Sequence, residues 1–473
     1  MNRLAKLYLY TIYLLPPLLF FSYYPVIPLG MTTTMNLELS LPLCWLVFFD
    51  LLSLVLFIKF PPHLKNRRLL LTLFFPIFLT LSIFWSKNPL RAFLTVGILW
   101  SIYFAIFSFF TLPRHFIKKP IFHSTIIKSF LISSVIFSIW CWLQALLDLF
   151  GVSPNLTLIC PGCTTETFGF PHPNGFAIEP QFMGNLLIAP AIYAIYRFLK
   201  SPTRTFTLLA FFLSASLLFT FSRGAIYAFI IALTFLIVVS VFKKDFIPQK
   251  TPFIIFAPIC LIFGAFLFTL NAQGLFSAFS STNDNYLSGI AKSLHHLSLG
   301  HCDLTKQFPP SLPSNQESLS LNQTPSPSNT TSPSKTSVFT GYVPASTNIR
   351  LELSRSALLV WQQTPTTILW GTGLGSAGIA LYEQHQTSSP KEIVQNEYLS
   401  LLLETGLIGI ILLLITLTVV ISSIKSSASF ILLITLFLAY SLSFLFFSGL
   451  PNALHIFLFP PLLYNSKRKK LVG

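Results

Sequence analysis

The sequence predicts an all-α, polytopic integral membrane protein of about twelve transmembrane helices, with one large extracytoplasmic loop before span ten. Three observations carry that prediction. Hydrophobic residues make up 53% of the 473 residues and charged residues only 9%, too little charge to cover a soluble protein of this length. Apolar runs of bilayer length recur along the whole chain. The basic residues are also sorted by side: with twelve crossings, 21 of the 30 fall on the side of the termini and nine on the other. Short loops obey the positive-inside rule, so both termini are expected in the cytoplasm.

Taken in order, Met1–Lys6 precedes the run 7–24, and no small-residue cleavage site follows it. This reads as an uncleaved first span rather than a signal peptide. Runs at 41–60, 69–85, 92–112 and 127–149 lead to an outer loop at 150–179. Runs at 180–197, 205–222, 224–242 and 252–271 precede the long outer loop 272–396. The last runs are 397–421, 428–449 and 451–464, the final one short enough to be a crossing or a re-entrant segment. Residues 303–346 are rich in Ser, Pro, Asn and Thr. Such a segment cannot bury enough apolar surface to offset ordering and is expected to be disordered. Three regions follow: 1–199 with spans one to six, 200–420 with spans seven to ten, and 421–473 with the last spans and a basic cytoplasmic tail.

The net charge of +16 is spread over these loops, so it reads as topology and attraction to the inner leaflet, with no nucleic-acid partner. Six cysteines are too few for a disulfide scaffold. Cys160-Pro-Gly-Cys163 lacks the further ligands that zinc needs, and on an oxidising face it is expected to close as a local disulfide. No metal site and no cofactor are expected.

Several polar groups sit where charge is expensive. Arg223 lies in Leu218-Phe-Thr-Phe-Ser-Arg-Gly-Ala225, between two spans with no room for a loop. It reads either as a snorkelling anchor or as a cation facing a cavity. Arg355 belongs to Asn348–Gln363, whose apolar residues repeat at helical spacing. There it is a ligand for an anion or an i,i+3 partner of Glu352. The turn Gly371-Thr-Gly-Leu-Gly-Ser-Ala-Gly378 contains a formal GxGxxG, but no strand precedes it, so a dinucleotide site is excluded. It reads as a plain turn or as an anion nest. Glu397, Ser400 and Glu404 share one helix face. Glu404 either neutralises an arginine, the favoured reading, or accepts a proton. In the earlier loop, His172, Asn174 and Glu179 offer polar contacts to a sugar or headgroup.

These motifs together resemble the O-antigen ligase and O-antigen polymerase superfamily of bacterial envelope glycosyltransferases. The family's late motif is a His followed by Asn, Ser or Gln, nine residues, Gly, two residues and Gly; here Asn396, Gly406 and Gly409 fit it, with Tyr398 and Glu404 also typical. Phe221-Ser-Arg223-Gly-Ala225 resembles its arginine-bearing span end. Arg355 with Trp361, Pro365 and the glycine turn resembles its second arginine region, and Asn174 to Ala177 its earlier loop motif. The resemblance implies a bacterial inner-membrane enzyme, an O-antigen ligase-like region within 200–420, and a polyprenyl-diphosphate-linked glycan donor. It implies a glycan, lipid or protein acceptor, arginines that hold the diphosphate, and no metal ion. The sequence departs from the family at Gln395, which stands where the motif His belongs and cannot act as a general base. Candidate catalytic residues are therefore Gln395, Asn396, Glu404 and His385, a loop histidine ten residues earlier; candidate binding residues are Arg223, Arg355, His172, Asn174 and Glu179. The alternatives are a non-catalytic glycolipid transporter or flippase, an inactive ligase homologue, or a scaffold that binds cell-wall partners.

Overall fold

The computed structural model describes residues 3–32, 36–60, 71–112, 119–164, 170–242, 252–279, 285–299, 301–302, 335–424, 430–447 and 453–463. It is mostly helical. In chain order the helices of six residues or more are α1 (Arg3–Phe20), α2 (Leu41–Lys59), α3 (Phe74–Leu81), α4 (Pro89–Thr111), α5 (Lys119–Leu149), α6 (Pro180–Lys200), α7 (Arg204–Phe219), α8 (Arg223–Phe242) and α9 (Pro252–Phe279). There follow α10 (Tyr286–Leu297), α11 (Lys335–Trp361), α12 (Pro365–Trp370), α13 (Ala377–Glu383), α14 (Glu397–Ile424), α15 (Phe430–Ser443) and α16 (Leu454–Leu463). Among the described residues, seven stretches are long and apolar enough to cross a membrane, and five further apolar helices are shorter.

Helix α6 is the centre of the bundle. Its apolar window is 89% buried, against 22 to 44% for the other six long ones, because α5, α7, α8, α9, α15 and α16 all pack on it. The outer helices turn their Leu and Phe side chains outward, as a bilayer solvent permits. Helix α16 has ten residues, about 15 Å of helix, half a hydrocarbon core. Its Phe459 packs against Phe20 and Phe130.

Two expectations need correction. A small antiparallel hairpin, Val26–Met31 with Asn36–Ser40, stands between α1 and α2, so the fold is not wholly α. Helix α11 begins at Lys335, inside the segment expected to be disordered; residues 303–334 of that segment lie outside the described residues.

The loops meet in several places. Backbone N–H groups of Tyr23 and Tyr24 donate to Phe176 O. Ser86 Oγ donates to Leu374 O at 2.7 Å. Gln273 Nε2 donates to Pro171 O, and Glu397 N donates to Phe444 O at 2.9 Å. Thus the segment after α1 meets the one after α5, which also meets the last turns of α9, while the segment after α3 meets the glycine turn and the one after α15 meets the start of α14.

Candidate functional site

Arg223 opens α8 and is half-buried. Just before it, Phe221 adopts a left-handed conformation, φ 49°, a costly choice for a bulky residue. That turn presents Phe221 O to His296, whose Nε2 lies 3.2 Å away. A carbonyl only accepts, so Nε2 carries the proton and the lone pair of a neutral ring lies on Nδ1. His296 Nδ1 is buried and makes no hydrogen bond among the described residues.

His172 lies edge-on to His296, ring centroids 5.1 Å apart, with Phe170 packed against both. Burial, then His296 and Arg223, holds His172 well below the usual imidazole range. Burial, Arg223, His295 and Arg350 push His296 down to about 3, against the Phe221 hydrogen bond, which raises it. Two neutral imidazoles therefore stand beside two guanidinium groups.

The turn Phe444–Phe447 gathers these parts. Phe446 O accepts from Gln181 Nε2 of α6 and, at 3.4 Å, from Arg350 Nη1 of α11. A Cβ on Gly224 would lie 2.9 Å from Phe446 Cβ, so α8 starts hard against the same turn. The Phe444 carbonyl holds Glu397 N, which brings Gln395 and Asn396 to this end of the bundle. Gln395 is half-buried. Asn396 caps α14, its Oδ1 accepting from Leu399 N at 3.2 Å, a structural use of the side chain.

Glu404 is buried within α14 and is committed to the glycine turn. Its Oε1 accepts from Ala377 N at 3.1 Å, Gly375 N–H also points to it, and Arg91 supplies the nearby positive charge. Gly373 N donates to Glu404 O and Thr372 N to Leu403 O, both at 2.9 Å. Gly406 explains the motif's glycine: it kinks α14 at φ 61°, ψ −168°, and a Cβ there would lie 2.4 Å from the Leu369 backbone.

The remaining candidates are scattered. Asn174 is fully buried and ties its loop, donating to Leu158 O and Ala177 O and accepting from Cys160 N. Cys160 and Cys163 are paired as a disulfide. Glu179 is exposed at the start of α6, His385 is exposed beyond α13, and Arg355 is exposed on α11. Arg350 and Arg355 are five residues apart, about 140° around the helix, so they do not face the same way.

Sequence reasoning missed His296, Arg350 and Gln181. The histidine pair closing Tyr286–Leu297, a helix with alternating polar and apolar faces, was the available signal for His296. Nothing local marks Arg350 over Arg355. Among the described residues no group of three or more His, Cys, Asp or Glu is placed to hold a metal.

Residues 208–414 match the family model described as O-antigen ligase. No curated protein matches the chain. The matched stretch runs from within α7 into α14, and so contains Arg223, His296, Arg350, the glycine turn and the Asn396–Gly409 motif. Over that stretch the chain is similar to the O-antigen ligase family, and its recurring long apolar helices are those of a multi-pass membrane protein.

Proposed function

We propose that the protein transfers glycan from a polyprenyl-diphosphate-linked donor to a glycan, lipid or protein acceptor at the outer face of the inner membrane, without a metal ion. The observation that carries this reading is the placement of Arg223 and Arg350 around the neutral His172–His296 pair. Their guanidinium groups stay charged at any depth and match a diphosphate's oxygens bidentately. The start of α8 adds backbone N–H groups that favour an anion. The contacts among the loops assigned to the outer side support a single extracytoplasmic site, with both termini in the cytoplasm.

In the reaction an acceptor hydroxyl oxygen bonds to the anomeric carbon while the bond from that carbon to the phosphate oxygen breaks. The electron pair leaves on the diphosphate, where Arg223 and Arg350 stabilise it. The hydroxyl proton goes to Nδ1 of His296. A bound diphosphate cancels the field of the two arginines, so donor binding itself makes the imidazole a stronger base. Gln395, which cannot take the proton, orients the hydroxyl through its side-chain carbonyl. Glu404 and Asn396 serve by holding the glycine turn and the start of α14, and Asn174 and His172 by shaping the wall.

The test is transfer from a lipid-linked donor by purified protein, with chelator present. Arg223→Lys and Arg350→Lys should each lose about 10²–10³ in rate, the scale of one lost oxyanion contact. Arg355→Lys should stay near wild type. Full activity in both Arg223→Lys and Arg350→Lys removes the clamp, and loss of activity on adding chelator removes the metal-free mechanism. Loss in His385→Ala with His296→Gln unaffected would move the base to the outer loop. Donor binding without any transfer would identify a transporter.

A further inference from the structure

At the far end of α11 from Arg350, about 15 Å along its axis, lies a cavity of about 530 Å³. Trp85 and Trp370 form its apolar wall, crossing edge to face with ring centroids 5.9 Å apart. Phe78 stacks on Trp370 and supports it. The polar lining comes from Gln363, Thr366 and Gln384. Gln363 Nε2 donates to Gln384 Oε1 at 3.1 Å, which fixes the two amides side by side. Lys87 at the rim is already paired with Glu383, so the cavity presents no uncompensated charge.

Indole faces beside fixed amides and hydroxyls match one ligand chemistry well. A pyranose has apolar C–H faces that lie on aromatic rings and equatorial hydroxyls that both donate and accept. A free phosphate would find the sole lining cation already neutralised. An acyl chain would desolvate Gln363, Gln384 and Thr366 without replacing their hydrogen bonds. The volume lies within the range of small-ligand sites. We propose that this cavity is a saccharide subsite that holds a sugar unit of the glycan remote from the bond being transferred. This rests on the glycan-transfer reading above, and it makes the protein sensitive to glycan length. Binding energy gathered at Trp85 and Trp370 positions long chains, whereas a single unit held at the arginine site does not reach them.

The experiment uses the full chain in lipid nanodiscs, with lipid-linked donors of one repeat unit and of many, extracted from the source cells. Trp370→Ala and Gln363→Ala change exposed side chains, so folding should survive; thermal unfolding checks this. Both variants should raise KM for the long donor about threefold to tenfold, the range for a lost ring contact or a lost hydrogen bond. The kcat, and the KM for the single-unit donor, should not move. Trp370→Phe should restore most of the loss. A binding readout runs in parallel: quenching of tryptophan fluorescence by oligosaccharides released from the same cells' envelope polysaccharide by mild acid. Wild type should bind them and Gln363→Ala bind them more weakly. Unchanged KM for the long donor, or equal increases for both donors, overturns the subsite. Absence of transfer with Arg223→Lys and wild type alike overturns the glycan-transfer reading instead, and oligosaccharide binding then decides the subsite alone.

Discussion

Arg350 and Arg355 show how much a few residues matter. Both are arginines of α11, yet Arg350 reaches Phe446 and bears on His296 with its charge, while Arg355 is exposed. The acid response of His296 follows from the same contacts. Its folded pKa, about 3, lies below its ordinary value of 6.5. The unfolded chain therefore binds more protons between those values, and stability falls as pH drops from about 6.5 toward 3. Replacing His296 by Gln should flatten that part of the stability curve, measured by thermal unfolding across pH 4 to 7 in steps of roughly one unit. An unchanged slope would place the acid sensitivity elsewhere. Gly406→Ala tests backbone conformation: its φ/ψ lies in a region nearly confined to glycine, so about 1–3 kcal/mol should be lost, with more from the Leu369 contact. Lowered thermal stability and reduced membrane yield are the expected measurements.

At the scale of elements, α14 carries two jobs along one helix. Its first turn, capped by Asn396, docks on the Phe444–Phe447 turn, and two turns later Glu404 and Gly406 seat the glycine turn. The motif therefore reads mainly as architecture here, which is why a buried carboxylate persists at membrane depth. Glu404→Gln keeps the size and one acceptor oxygen but removes the charge facing Arg91. It should destabilise the protein while leaving the KM for donor unchanged; a selective rise in KM would show that Glu404 meets substrate. The segment ahead of α11 tests a different property. Replacing 308–332 with a Gly/Ser linker of equal or shorter length should cost little, since loop-closure entropy grows only logarithmically. Protein that inserts normally but transfers nothing would show that these residues bind a partner.

For the whole molecule, the segments after α1 and α5 meet each other, as do the segment after α3 and the glycine turn. The proposed topology of twelve crossings with both termini on one side yields two expectations. Reporter fusions at Lys250 and Ser328 should report opposite sides of the membrane, the first cytoplasmic; the same side for both would undo the orientation. Cys160 and Cys163 should resist thiol labelling until reductant is added, by mass shift, if their face is oxidising.

Composition and spacing determined the membrane class, the positions of the apolar runs and the pairing of Cys160 with Cys163, because hydrophobicity and short-range geometry act locally along the chain. They also picked out Arg223, since a charge between two spans is conspicuous wherever it later points. The tertiary structure alone decided what that charge meets. His296, Arg350 and Gln181 come from a helix beyond span nine, a helix of the large loop and the head of α6, and no local pattern encodes their meeting. The hairpin after α1 escaped notice for a related reason. Its strands are five or six residues long, too short for alternation to stand out between two spans. For Glu404 the sequence favoured a structural role over a chemical one but could not name its partners. Only the N–H groups of Gly375 and Ala377, brought by a turn about thirty residues upstream, settle where its carboxylate hydrogen bonds go.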